Sequence, residues 1–203
     1  MKPITVTRNV FTIRELPDKA GALEQVRTDL YDYIDSSQIT GYLNGELYYA
    51  LTGTHDGEIS TKELTKRVGL IVEYSLSHCQ GDGVAIYGTL NSDDAPNVNW
   101  HYYGASTATF TRNSHADHYS HEYCMTVSLF SYDEDGNEID ADKAITELFA
   151  EQFRDLCREL ARLGYAEIEY ATSIDAAYDY LDNNLPRRFL EDGSYAPIEF
   201  WGE

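Results

Sequence analysis

Leu70-Ile71-Val72-Glu73-Tyr74-Ser75-Leu76-Ser77-His78-Cys79-Gln80-Gly81-Asp82-Gly83-Val84-Ala85-Ile86-Tyr87-Gly88-Thr89-Leu90 is the stretch on which the fold turns. Its first eight residues alternate in character and are rich in branched and aromatic side chains, as a half-buried strand requires. Residues 78–83 set two glycines around an aspartate, which is turn chemistry. Residues 84–90 are a second apolar run, so the whole reads as a β-hairpin. The pattern continues downstream. A polar loop over residues 91–99, with Asp93, Asp94 and Pro96, leads into strand-like runs at 100–112 and 119–130, joined by residues 113–118. Successive strands with short connections make an antiparallel meander.

Helical signals flank the meander. Upstream, residues 4–13 read as a strand. Leu16-Pro17-Asp18 opens a helix with Ala20, Leu23, Val26 and Leu30 on one face. Residues 39–51 are open between helix and loop, because Gly41 and Gly45 weaken a helix that Leu43 and Leu47 favour. Residues 54–58 form a turn, and Ser60 and Glu63 make a capping box for a short helix that ends at Gly69. Downstream, residues 133–137 form an acidic turn. Residues 140–163 carry the strongest helical stripe, including Leu148, Phe149, Phe153, Leu156 and Leu160, with Gly164 as the expected C-cap. A short strand is expected at 165–170, then a helix capped by Thr172 or Ser173 and running to about 184. Residues 189–201 make an extended tail with an Asp192-Gly193 turn. This order predicts one α+β domain over residues 1–203, a mainly antiparallel sheet of about five strands with helices packed on one face.

The 203 residues are 42% hydrophobic, enough for a core, which excludes disorder. No apolar run approaches the roughly 20 residues a membrane-spanning helix needs. The Met1-Lys2-Pro3-Ile4-Thr5-Val6 start has no signal-peptide core, so a cytoplasmic address is expected. The odd, sparse set of Cys79, Cys124 and Cys157 argues against a disulfide framework, and the lack of a Cys-x-x-Cys pair excludes a zinc ribbon or thioredoxin-type site. Cys157 sits in the helical stripe as core filler.

Charge carries the functional signal. Fifteen basic against 35 acidic side chains leave a net charge of −20, and the only Lys or Arg between Val68 and Asp142 is Arg112. Such a surface repels phosphate, so direct nucleic-acid binding is not expected, and it attracts basic surfaces that ordinarily hold nucleic acid. Tyrosine occurs 17 times, with a pair at Tyr102 and Tyr103; such side chains suit both half-buried strands and interfaces.

Three places invite a chemical reading. The turn holding Gln80 and Asp82 offers glycine-freed amides for a small anion or a carboxylate for catalysis; its plain alternative is a hairpin turn. His115, His118 and His121, with Asp117 and Glu122 beside them, have imidazoles in a metal-ligand spacing. On a strand, however, His118 and His121 point to opposite faces, and His121 shares the apolar face of Tyr123, Met125 and Val127. Ser131, Asp133, Asp135, Gly136 and Asp142 partly echo a calcium loop, but strand and helix flank it rather than two helices. No nucleophile motif, catalytic set, metal site or cofactor signature emerges.

Several of these segments together resemble a widespread family of small proteins encoded by phages, prophages and plasmids. They are Leu16-Pro17-Asp18-Lys19-Ala20, the Ser-x-x-Gln-Gly-Asp-Gly turn from Ser77 to Gly83 with its strand ending at Gly88, and His118-Tyr119-Ser120-His121-Glu122-Tyr123-Cys124-Met125. Tyr170-Ala171-Thr172-Ser173 and Phe189-Leu190-Glu191-Asp192-Gly193 fit as well. The resemblance implies a mobile-element origin; some relatives carry an antitoxin label, and no activity comes with it residue by residue. Joined to the charge, it leads to an expected partner, a host protein with a basic nucleic-acid-binding surface. Asp93, Asp94, Asp133, Glu134, Asp135, Asp140 and Asp142 are the expected contact carboxylates, with Tyr102 and Tyr103 supplying area. A small-ligand or metal-dependent activity at Gln80, Asp82, His118 and His121 is the alternative, and an antitoxin-like partner protein a further one.

Overall fold

The computed structural model describes residues 9–34, 36–77, 81–113, 119–183 and 187–197. Its elements are α1 (Ala20–Tyr33), α2 (Ser36–Thr52), α3 (Thr61–Val68), β1 (Leu70–Ser75), β2 (Gly83–Asn91), α4 (Trp100–Tyr103), β3 (Thr107–Arg112), β4 (Met125–Tyr132), β5 (Glu138–Asp140), α5 (Lys143–Ala171) and α6 (Ile174–Asn183). Two compact units emerge, residues 1–34 with 168–203, and residues 35–167. The class is α+β, and no helix among the described residues is long and apolar enough to cross a membrane.

In the larger unit the five strands form one antiparallel sheet in sequence order, β1-β2-β3-β4-β5. Along β3 and β4, alternation does what a sheet covered on one side demands. Ala108, Phe110 and Leu129 are buried, and Phe110 meets Phe149 and Phe153 of α5 at ring separations of 6.3 and 4.7 Å. The other side carries Thr111, Thr126 and Ser128 exposed and Thr109 half-buried, and closes on the buried pair Thr107 and Phe130. Helices α2 and α3 pack against β1. Ser60 caps α3 by accepting from the Glu63 N–H at 3.3 Å, and Gly69 ends it at φ +73°, a left-handed conformation that suits glycine. Glu63's own carboxylate turns instead to Arg67 Nε at 2.8 Å.

Residues 39–51 are helical, and the two glycines are explained by space. A Cβ on Gly45 would lie 2.0 Å from the Gly57 carbonyl oxygen, and one on Gly41 3.3 Å from the Glu58 side chain. They let the loop at residues 57–58 lie directly on α2.

Several expectations are corrected. Residues 100–112 are not one strand. Asn99 accepts from the Tyr102 N–H at 3.3 Å and Gly104 closes the turn, so 100–103 is the helix α4 and only 107–112 is strand. The strand expected at 119–130 begins at Met125, because residues 122–124 form a 3-10 turn. The helix expected at 140–163 starts at Lys143 and runs through Gly164 to Ala171, absorbing the strand expected at 165–170. Gly164 is no cap: a Cβ there would stand 2.6 Å from Leu76 Cδ1, so glycine admits a close contact.

In the smaller unit, α1 and α6 pack around a core of Leu16, Ala22, Val26, Ala177, Leu181 and Phe189. Of the strand expected over residues 4–13, residues 4–8 lie outside the described residues; residues 9–13 form no strand, and Phe11 makes a single bridge to Phe189. Ser173 caps α6 as expected, accepting from the Ala176 N–H at 3.1 Å. Phe189 also bridges to Tyr195 across the Asp192-Gly193 turn.

Candidate functional site

In a meander, alternate connections fall at opposite ends of the sheet. The register Asn91↔Thr107, Thr107↔Phe130 and Phe130↔Asp140 draws one row across four strands. Beyond that row lie the β2–β3 connection and the β4–β5 turn. Asp93, Asp94, Tyr102 and Tyr103 belong to the first, and Asp133, Glu134 and Asp135 to the second. Asp140 is in the row itself, and Asp142 follows it toward α5. The fold thus brings to one end of the sheet acidic residues up to 47 positions apart in sequence (Asp93 and Asp140), and no Lys or Arg lies in residues 92–106 or 125–142.

Their side chains do different work. Asp133 Oδ1 accepts from the Asp135 and Asn137 N–H groups at 2.9 and 2.8 Å, and the Asn137 amide donates to the same carboxylate. Those bonds, the Asn137 side chain first, hold its pKa below the ordinary value. Gly136, at φ +80°, completes the turn. Asp142 accepts from the Ala144 N–H at 2.8 Å, tying down the start of α5. Asp94 accepts from Asn91 Nδ2 at 3.3 Å. The carboxylates of Asp93, Glu134, Asp135 and Asp140 are exposed and have no hydrogen-bond partner among the described residues.

The tyrosines divide too. Tyr103 OH donates to Gln152 Oε1 at 2.5 Å, its ring stands edge-on to Phe149 at 5.0 Å, and burial raises its pKa. It fastens α4 to α5. Tyr102 is 61% exposed and leans edge-on against Tyr103 at 5.0 Å. The sequence reading missed two members of this end, Glu138 and Tyr132, both exposed. The signal was the polar-apolar-polar run Glu138-Ile139-Asp140 after a glycine turn, the mark of a short strand.

The opposite end holds Asp82 and His121. Gln80 and His118, with His115 and Asp117, lie outside the described residues. Asp82 is heavily engaged: it accepts from Ser75 Oγ at 2.7 Å, the Ser77 N–H at 2.7 Å, Ser77 Oγ at 3.2 Å and Tyr165 OH at 2.8 Å. These bonds knot the hairpin turn and attach it to α5, which is the work of a structural carboxylate. His121 is not on a strand, so the face assigned to it does not exist. Its Nδ1 accepts from the Tyr123 N–H at 3.2 Å and caps the 3-10 turn.

The two motifs do meet. A Cβ on Gly81 would lie 2.5 Å from Tyr119 Cδ1, and one on Gly83 2.8 Å from His121 Cβ. Two guanidiniums flank the next aromatic, with Arg154 and Arg158 at 5.6 and 5.7 Å from the Tyr123 ring. Arg158 also pairs with Glu122 and Glu151 at 3.1 and 3.0 Å. Beneath them, burial pushes the Tyr87 phenol up to about 12 and raises the Cys157 thiol, so neither is ionised near neutrality. Among the described residues, no group of three His, Cys, Asp or Glu side chains is placed to hold a metal ion.

No protein-family model matches the chain, and comparison with curated proteins and with solved structures returned no significant similarity.

Proposed function

We propose that the protein is a non-enzymatic inhibitor, carried by a phage or other mobile element, that binds a host nucleic-acid-handling defence complex of the CRISPR or restriction kind. Carboxylates at one end of its sheet take the place of phosphates on the partner's basic surface. The observation that supports this reading is the segregation of charge: Asp93, Glu134, Asp135 and Asp140 are exposed and have no hydrogen-bond partner among the described residues, at an end whose connections carry no Lys or Arg. Carboxylates that are already paired with arginines have little left to offer a partner; these four have no arginine or lysine in their connections. Tyr102, exposed and braced by Tyr103, adds contact area with few rotors to freeze.

The test is inhibition of DNA binding by a purified CRISPR effector or restriction complex, measured between low and high salt. Because the Debye length shrinks from about 30 Å at 0.01 M salt to about 8 Å at physiological strength, affinity is expected to fall steeply. A Glu134→Lys/Asp135→Lys variant is expected to fold normally and to inhibit poorly. Affinity that is flat with salt, or full inhibition by that variant, sinks the proposal.

A further inference from the structure

We infer that the open edge of β5 is the element that receives the partner, by pairing with an extended segment in which basic and apolar residues alternate. This rests on the reading above and names the chemistry of the segment bound. Among the described residues β5 is the outermost strand of the sheet, and all three of its residues are exposed. Its backbone directions follow from the ladder. Asp133 N–H donates to the Asn137 carbonyl and Ala141 N–H to the Leu129 carbonyl. With Ser131↔Ile139 in register between them, these are the hydrogen-bonded pairs of an antiparallel ladder, and Tyr132↔Glu138 and Phe130↔Asp140 are the pairs between. The N–H and C=O groups of Glu138 and Asp140 therefore point away from β4, to the open side.

The side chains define what fits. Glu138 and Asp140 lie on one face and Ile139, 51% exposed, on the other. A strand laid along this edge would set basic residues against the two carboxylates and an apolar residue beside Ile139. A second copy of this chain is disfavoured, since edge-to-edge pairing would bring Glu138 and Asp140 against their own counterparts. The charges that guard the edge against self-association are the ones that select a basic strand.

The probe is an acetylated, amidated alternating arginine–valine heptapeptide. Its control has proline at each valine position, with equal charge and no capacity to pair. The alternating peptide is expected to bind at least about tenfold more tightly, the product of several main-chain hydrogen bonds. Amide exchange at Glu138 and Asp140 is expected to slow in the complex. Asp140→Pro removes an outward N–H and leaves the inner ladder whole, so it should weaken binding about two- to tenfold more than Asp140→Asn. Equal binding of both peptides, with unchanged exchange at Glu138 and Asp140, overturns edge pairing and leaves the charge reading standing. Binding of neither peptide at low salt overturns the edge and the charge reading together.

Discussion

Replacing Asp82 by alanine should destabilise the larger unit without touching its acidic end. Three donors reach the carboxylate at 2.7–2.8 Å, from Ser75, Ser77 and Tyr165, and Ser77 Oγ adds a longer bond at 3.2 Å. A hydrogen bond to a charged group is worth about 1.5–3 kcal/mol when well buried. Here the site is half exposed and water can replace part of what is lost, so the expected cost is about 2–4 kcal/mol. For a unit of this size that lowers the melting temperature by on the order of 10 °C. Asp82→Asn keeps one acceptor but turns an NH2 toward donors, and should cost about 1–2 kcal/mol. The assay is urea unfolding followed by tryptophan fluorescence, with a double-mutant cycle against Tyr165→Phe. A coupling energy of about 1–2 kcal/mol is expected, because the two side chains share one bond. If Asp82→Ala moved stability by less than about 0.5 kcal/mol, the structural role assigned to this carboxylate would be wrong. Asp82 would then return as a candidate for chemistry.

Ser60→Ala should cost about 1 kcal/mol in chemical denaturation, the ordinary loss of an N-cap. Gly164→Val should cost about 2–3 kcal/mol by overpacking against Leu76. Gly164→Ala should stay within about 1 kcal/mol of the parent, since gained helix propensity offsets the displaced methyl; equal losses in both variants would contradict a close-packing role. Asp133 has a depressed pKa, so its contribution is present above the ordinary carboxyl value and is lost as pH falls below about 4 through the lower folded value. Carbon-13 titration of Asn137→Ala should show the Asp133 pKa moving back up; an unchanged value would refute Asn137 as the cause.

How much of this was legible in the sequence depended on the range of the signal. The hairpin at 70–90, the Ser60 cap, the Gly69 stop, the turn at 133–137 and the buried stripe of α5 are each written within a few residues of where they act. The short segments were misread. Ala166-Glu167-Ile168-Glu169 alternates like a strand, yet it also continues the helix before it. Gly164 looked like a stop because a glycine needed for φ freedom and one needed for space are the same letter. Trp100-His101-Tyr102-Tyr103 has strand-loving side chains, and the cap from Asn99 with the turn at Gly104 outweighed them.

By itself the sequence determined the class of fold, the antiparallel order and the excess of negative charge, because periodicity, turns and composition are local or global sums that need no coordinates. The tertiary structure decided which carboxylates act together. Strand register carries Asp93 and Glu134 to the same end of the sheet and puts Asp82 and His121 at the other. Packing then decided that Asp82 and Tyr103 hold the fold through Tyr165 and Gln152 of α5, while Glu138 and Asp140 were left facing outward on an open edge. Register and packing are set by contacts between distant residues, and no window of sequence contains both partners.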